Sequence, residues 1–125
     1  MRRSTRHYLV AAGALTAGVL WRSRPLGRVE VAGDSMRPAL EPGDRLLVVR
    51  GGPVRVGQVV AVGDPRPTPR TLVKRVAAIG PDGVTVLGDN AAASTDSRVL
   101  GPVPASAIRG RAFYRYFPDD RRGLL

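Results

Sequence analysis

Of the 20 lysine and arginine residues in this chain, Lys74 alone is lysine. Arginine keeps its proton in any protein setting, whereas an amine taken out of water can lose it and serve as a base. Two readings of Lys74 follow. It is either the leftover lysine of an arginine-rich chain, snorkelling at a sheet edge, or a general base kept neutral by burial. The other reactive residue types narrow the chemistry. There is no cysteine, which excludes disulfides, thiolate metal sites and cysteine nucleophiles. The one histidine, His7, lies in the first ten residues, which excludes a Ser-His-Asp triad in the folded body and a two-histidine metal site. A hydrolase built from this chain must therefore take a carboxylate or an amine as its base. No cofactor and no metal are expected.

The elements that would position such a base are short strands broken by turns. Arg28–Ala32 reads as a strand ending at Gly33-Asp34, and Pro42-Gly43 turns the chain into Arg45–Arg50. Gly51-Gly52 breaks that strand, and Gln58–Val62 is the next. Residues 64–70 (DPRPTPR) form a proline-rich loop. Thr71–Ile79 is a longer strand, and Pro81-Asp82-Gly83 turns it into Val84–Leu87. Residues 88–98 read as a polar loop, Pro104–Ile108 as one helical turn, Arg111–Phe117 as a last strand and 118–125 as a charged tail. Alternation puts Leu72, Lys74, Val76 and Ala78 on one face of the 71–79 strand. Lys74 then shares its face with apolar residues and no other charge, and desolvation there would lower its pKa by up to about 3–5 units. The fold class expected is all-β, a small curled antiparallel sheet or barrel, with one N-terminal apolar helix.

Charge is uneven along the chain. Six arginines and no acid lie in residues 1–28, leaving the body with 14 basic and 10 acidic residues. Between these arginines runs YLVAAGALTAGVLW, residues 8–21. As a helix it would be about 21 Å long, shorter than the roughly 30 Å hydrocarbon core of a bilayer. Its length suits a signal-peptide core, an interfacial helix or a short anchor. Trp21-Arg22-Ser23-Arg24 lacks the small residues of a cleavage site, and Tyr8 and Trp21 stand where interfacial aromatics do. An uncleaved N-terminal anchor is expected. The division expected is 1–27 for the basic segment and anchor, 28–117 for the core and 118–125 for the tail. The length, 125 residues, fits one domain.

Three segments carry a resemblance. VAGDSMRPALEPGDRLLVV (31–49) resembles the nucleophile region of the signal peptidase I family, LVKRVAAIG (72–80) its lysine strand, and LGDNAAASTDSRVLG (87–101) its Gly-Asp-Asn box with the Asp-Ser-Arg that follows. The resemblance implies a serine endopeptidase with a Ser-Lys dyad. Ser35 would be the nucleophile and oxyanion donor through its backbone N–H, with Lys74 the general base. It further implies that Ser94 orients Lys74, that Asp89 pairs with Arg75 and Asp96 with Arg98, and that Asn90 belongs to the supporting turn. Met36 would be wall or core. Some family members carry a hydroxyl two residues before the nucleophile; here that position is Gly33. Ordinary turn-building is the plain reading of Asp89, Asn90 and Asp96, and it is compatible with support of a site. Lys74 and Gly88 are only 14 positions apart, closer than in typical bacterial members, so the chain looks like the compact branch that includes nickel superoxide dismutase maturation peptidases.

The implied partners are an extended signal or leader peptide of an exported precursor, cut after a small residue, and the lipid bilayer. The implied location is the cell membrane, with a single-pass anchor and an extracytoplasmic body. A dedicated maturation peptidase acting on one partner protein is the alternative. A self-cleaving repressor-like peptidase would need a DNA-binding segment that the sequence lacks, and a catalytically dead scaffold would leave Ser35, Lys74 and Ser94 together by coincidence. A basic nucleic-acid-binding barrel is a remote alternative: the net charge of +10 invites it, but the body holds little of the excess. No nucleic-acid partner is expected.

Overall fold

The computed structural model describes residues 26–67 and 70–125. The expected anchor at 8–21 lies outside the described residues. Seven strands form one antiparallel sheet: β1 (Leu26–Glu30), β2 (Arg45–Val49), β3 (Val59–Gly63), β4 (Thr71–Gly80), β5 (Gly83–Leu87), β6 (Ile108–Phe117) and β7 (Gly123–Leu124). The order is β1-β2-β6-β3-β4-β5, with β7 also on β6. One edge of β6 pairs with β2 through Arg111–Phe117. The other pairs first with β3, through Ile108–Arg111, and then with β7, through Tyr114 and Arg115. Among the described residues, helix is confined to single turns and the four-residue α1 (Ser97–Leu100). The architecture is all-β.

The core explains why β3 reads as an unbroken apolar run. Val59 and Ala61 pack into one cluster with Met36, Leu40, Leu46, Val48, Val73 and Ala112. Val60 and Val62 pack into a second with Val76, Val84, Val86 and Val103. A strand covered on both faces keeps no polar alternation. Met36, Leu40 and Leu46 are fully buried, each worth about 1.5–3 kcal/mol relative to exposure.

Several expectations shift. β1 begins at Leu26, ahead of the expected Arg28, because Leu26 and Gly27 find partners in Val49 and Val48. β6 begins at Ile108, because Val60–Val62 of β3 supply a ladder that the sequence of β6 does not announce. The helical turn expected over 104–108 is a 3-10 turn at Ala105–Ala107, and the loop expected over 88–98 holds a 3-10 turn and the start of α1. In β4 the pairing passes from Val76↔Val86 to Ala78↔Thr85, so Ala77 is an extra residue. Such a bulge reverses the alternation beyond it. Ile79, opposite the core residue Val84, takes the face expected for Ala78. Within residues 118–125, β7 joins the sheet, and Arg121 reaches Asp44 at 2.9 Å and Glu41 at 2.8 Å.

Candidate active site

Beyond β1 the chain turns through Gly33, whose φ of +75° suits glycine, and reaches Ser35 on an exposed loop. The loop is pinned at both ends. Met36 plugs the first core cluster at zero exposure. At the far end Asp44, 1% exposed, accepts from the Glu41 N–H at 2.9 Å, Arg115 Nη1 at 3.2 Å and Arg121 Nη1 at 2.9 Å. The strand-end bonds Val31 N–H to Asp44 C=O and Gly43 N–H to Val31 C=O, each 2.8 Å, close the loop at its base. Ser35 is thus carried by a short arch with a packed foot and a charged, hydrogen-bonded foot.

The 88–98 segment holds the arch from the side. Asn90 donates its backbone N–H to the Ser35 carbonyl at 2.8 Å and its side-chain amide to the Asp34 carbonyl at 3.2 Å. Gly88 lies so close that a Cβ there would fall 2.7 Å from the Ser35 carbonyl oxygen and against Ser94 Oγ. No side chain fits at 88 without moving one or the other. Asp89 forms a bidentate pair with Arg75, Nε to Oδ1 and Nη2 to Oδ2 at 2.9 Å each, which fastens this segment to β4.

Lys74 stands on β4 opposite Val60 and is 4% exposed. Its Nζ donates to Ser94 Oγ at 2.9 Å, and the Ser94 hydroxyl donates to Asp96 Oδ2 at 2.6 Å. Asp96, 2% exposed, also accepts from the Gly88 N–H at 2.8 Å and from Arg98 Nη2 at 2.7 Å, Nε at 3.0 Å and N–H at 3.0 Å. Burial by itself would raise the pKa of Asp96. The hydrogen bonds from Arg98, Ser94 and Gly88 outweigh it and hold the carboxyl well below the usual range. For Lys74, burial is the largest influence and lowers its pKa. The Asp96 charge opposes that, and the Arg98 charge adds to it. Because Ser94 gives its proton to Asp96, it can only accept from Lys74. A neutral amine held this way keeps its lone pair for another group.

That group is within the same cleft. Ala32, Gly33 and Ser35 form one wall and Arg70–Lys74 the other, around about 390 Å³. Among the described residues nothing hydrogen-bonds the Ser35 hydroxyl or the Ser35 N–H. Residues 71–75 of β4 pair with β3, while the β5 ladder begins only at Arg75, so the edge over Thr71–Lys74 is open beside the cleft. The arrangement offers a hydroxyl, an amine whose pKa burial lowers, an N–H with no partner among the described residues and a strand edge in one place. Among the described residues no group of three or more histidines, cysteines or carboxylates is disposed to hold a metal.

Of the residues singled out in the sequence, Ser35, Lys74, Ser94, Asp89, Asn90, Asp96, Arg98, Arg75 and Gly33 converge on this region, and Met36 lies in the core beneath it. Sequence reasoning missed the steric role of Gly88, for which the only signal was its place at the head of Gly-Asp-Asn. It also missed Asp44 with Arg115 and Arg121, whose separations of 71 and 77 residues leave no local pattern.

The family model described as signal peptidase, peptidase S26, matches residues 3–87 and 83–117. The chain belongs to that family. It is a serine peptidase. Among its relatives is the mitochondrial ATP-independent inner membrane protease subunit 1a of Arabidopsis thaliana, 34% identical over 127 aligned positions that cover 80% of this chain and 76% of the relative. A probable signal peptidase I-1 of Synechocystis is 29% identical, covering 76% and 73% of the two chains. Human mitochondrial inner membrane protease subunit 1 is also 29% identical, covering 79% and 74%.

Proposed function

We propose that this peptidase is a membrane-anchored endopeptidase that removes signal or leader peptides from exported precursors with Ser35 as nucleophile and Lys74 as base. The observation that carries the reading is a single buried lysine, its pKa depressed, held by Ser94 in the cleft that also contains Ser35. A serine hydroxyl is a weak nucleophile and needs such a neighbour. In the first step Ser35 Oγ bonds to the substrate carbonyl carbon as its proton passes to Lys74 Nζ. The oxyanion takes the free Ser35 N–H. Gly33 provides no side-chain donor. Lys74 then returns the proton to the departing amine as the peptide C–N bond breaks, leaving an ester on Ser35. Water, deprotonated by Lys74, hydrolyses the ester, and the proton restores the serine.

The substrate would lie extended along the open edge of β4, with a small residue before the scissile bond by family resemblance. The anchor reading rests on the uncharged segment 8–21 between arginines and on relatives named as inner membrane proteases. The second reading, a maturation peptidase dedicated to one precursor, is favoured by the short connection from Lys74 to Gly88. The test is independent of the substrate. Detergent-solubilised full-length protein is treated with a serine-acylating probe, and adducts are mapped by mass spectrometry in wild type and in Lys74→Arg. The expected result is an adduct on Ser35 that disappears in Lys74→Arg. An adduct that persists removes Lys74 as the base, and no adduct in either protein overturns the dyad.

A further inference from the structure

A second and larger concavity, about 550 Å³, shares Thr71 with the Ser35–Lys74 cleft. Its walls are the outer strand β1 at Gly27–Val29, Val48 and Arg50 at the end of β2, Ala61, and Arg109 of β6. Neither cavity is lined by an aspartate or glutamate. The guanidinium of Arg50 lies across Gly27, where a Cβ would come within 3.0 Å of its Nε. That of Arg109 lies across Gly63, where a Cβ would come within 3.2 Å of its Nη2. Each arginine is laid on a bare backbone that a larger residue would deny it.

These two guanidiniums have no carboxylate. All ten acidic residues of the chain are among the described residues. Arg37, Arg45, Arg66, Arg75, Arg98, Arg115, Arg121 and Arg122 each pair with one of them, while Arg50 and Arg109 pair with none. Arg70, on the wall of the Ser35 cleft, is likewise without an acid. Arg28, Arg55 and Arg111 pair with none either; of these six, Arg28, Arg50 and Arg109 line the larger cavity and Arg70 the Ser35 cleft, and the two cavities meet at Thr71. The slot between them has an open strand edge on each side, β1 on one and Thr71–Lys74 of β4 on the other.

We infer that the Arg50–Arg109 pocket is a specificity subsite that takes an acidic side chain of the peptide substrate. The inference rests on the peptidase reading above and extends it to substrate class. Three residues separate Lys74 from Thr71, about 10 Å of strand at roughly 3.3 Å per residue. An extended substrate would therefore present its aspartate or glutamate about three to five residues from the scissile bond. A guanidinium is opposite in charge to a carboxylate and matches its fork geometry.

The test uses fluorescent twelve-residue alanine-rich peptides with one glutamate, or one glutamine, moved position by position along the chain. Binding is measured by anisotropy to full-length Ser35→Ala protein in detergent, in the Arg50 and Arg109 background and in Arg50→Gln/Arg109→Gln. Circular dichroism checks the fold, and Arg50→Lys/Arg109→Lys keeps the charge. The expected result is one position at which glutamate binds roughly tenfold tighter than glutamine, an advantage lost in the glutamine double variant and partly kept in the lysine one. Equal binding at every position overturns the inference. So does an advantage that survives loss of both arginines, or the absence of binding by every peptide. Loss of binding to phosphatidylglycerol vesicles in the double variant, with peptide binding unchanged, would assign the pocket to lipid phosphate instead. Acylation of Ser35 in the wild-type protein reports separately whether the peptidase reading stands.

Discussion

Ser94→Ala isolates the group that holds the proposed base. The substitution removes one hydroxyl and with it two hydrogen bonds, 2.9 Å from Lys74 Nζ and 2.6 Å to Asp96 Oδ2. Asp96 remains satisfied by Gly88 and Arg98. Lys74 does not: at 4% exposure it loses its side-chain partner and has little water to replace it. Leaving a buried polar group unpaired costs about 1–3 kcal/mol. If that cost falls on the placement of the amine at the moment of attack, acylation slows roughly 5- to 150-fold. The assay is the rate of Ser35 acylation by a serine-directed probe, resolved into its maximal rate and its half-saturating concentration from pH 6 to 10. The maximal rate should fall by that factor while half-saturation stays put, because Ser94 touches the lysine and not the probe. Ser94→Thr, which keeps a hydroxyl, should recover most of the rate. A Ser94→Ala protein that is folded and acylates within twofold of wild type would refute the reasoning and leave Lys74 positioned by strand packing alone.

Three further outcomes follow. Because the folded pKa of Lys74 lies below its unfolded value near 10.4, the unfolded chain binds more protons in between. Stability relative to Lys74→Met should therefore rise with pH across that window, and acylation should rise over the same range; urea titrations at pH 7 to 10 would expose a flat difference. Asp44→Asn should cost about 1–3 kcal/mol in urea unfolding, since it weakens the charged hydrogen bonds from Arg115 and Arg121 while Arg121 keeps Glu41. Gly88→Ala should slow Ser35 acylation at least tenfold while costing about 1–3 kcal/mol of stability, because its Cβ displaces the Ser35 carbonyl or Ser94 Oγ.

Much of the protein can be read along the chain. Turn residues separate the strands, and the apolar run of β3 reports its burial on both faces. The exclusion of histidine and cysteine chemistry needs only composition, and it leaves Lys74 as the one amine of its kind. What local pattern cannot contain is decided where distant segments meet. The open ladder position of Ile108 is supplied by β3, and the extra residue Ala77 is set by the pairing with β5, so Ile79 rather than Ala78 takes the face of Val76, where it stays half-exposed. The fixing of the Asp44 carboxylate depends on arginines 71 and 77 residues away, which makes the last residues part of the frame under Ser35. The depressed pKa of Lys74 is also a tertiary property. Alternation assigns its face, but desolvation depends on what packs over that face; Ser94 arrives there from the next loop, and the Asp96 charge behind it opposes the shift. Residue type determines which chemistry is available to the chain; packing decides the dielectric and the partners that switch it on.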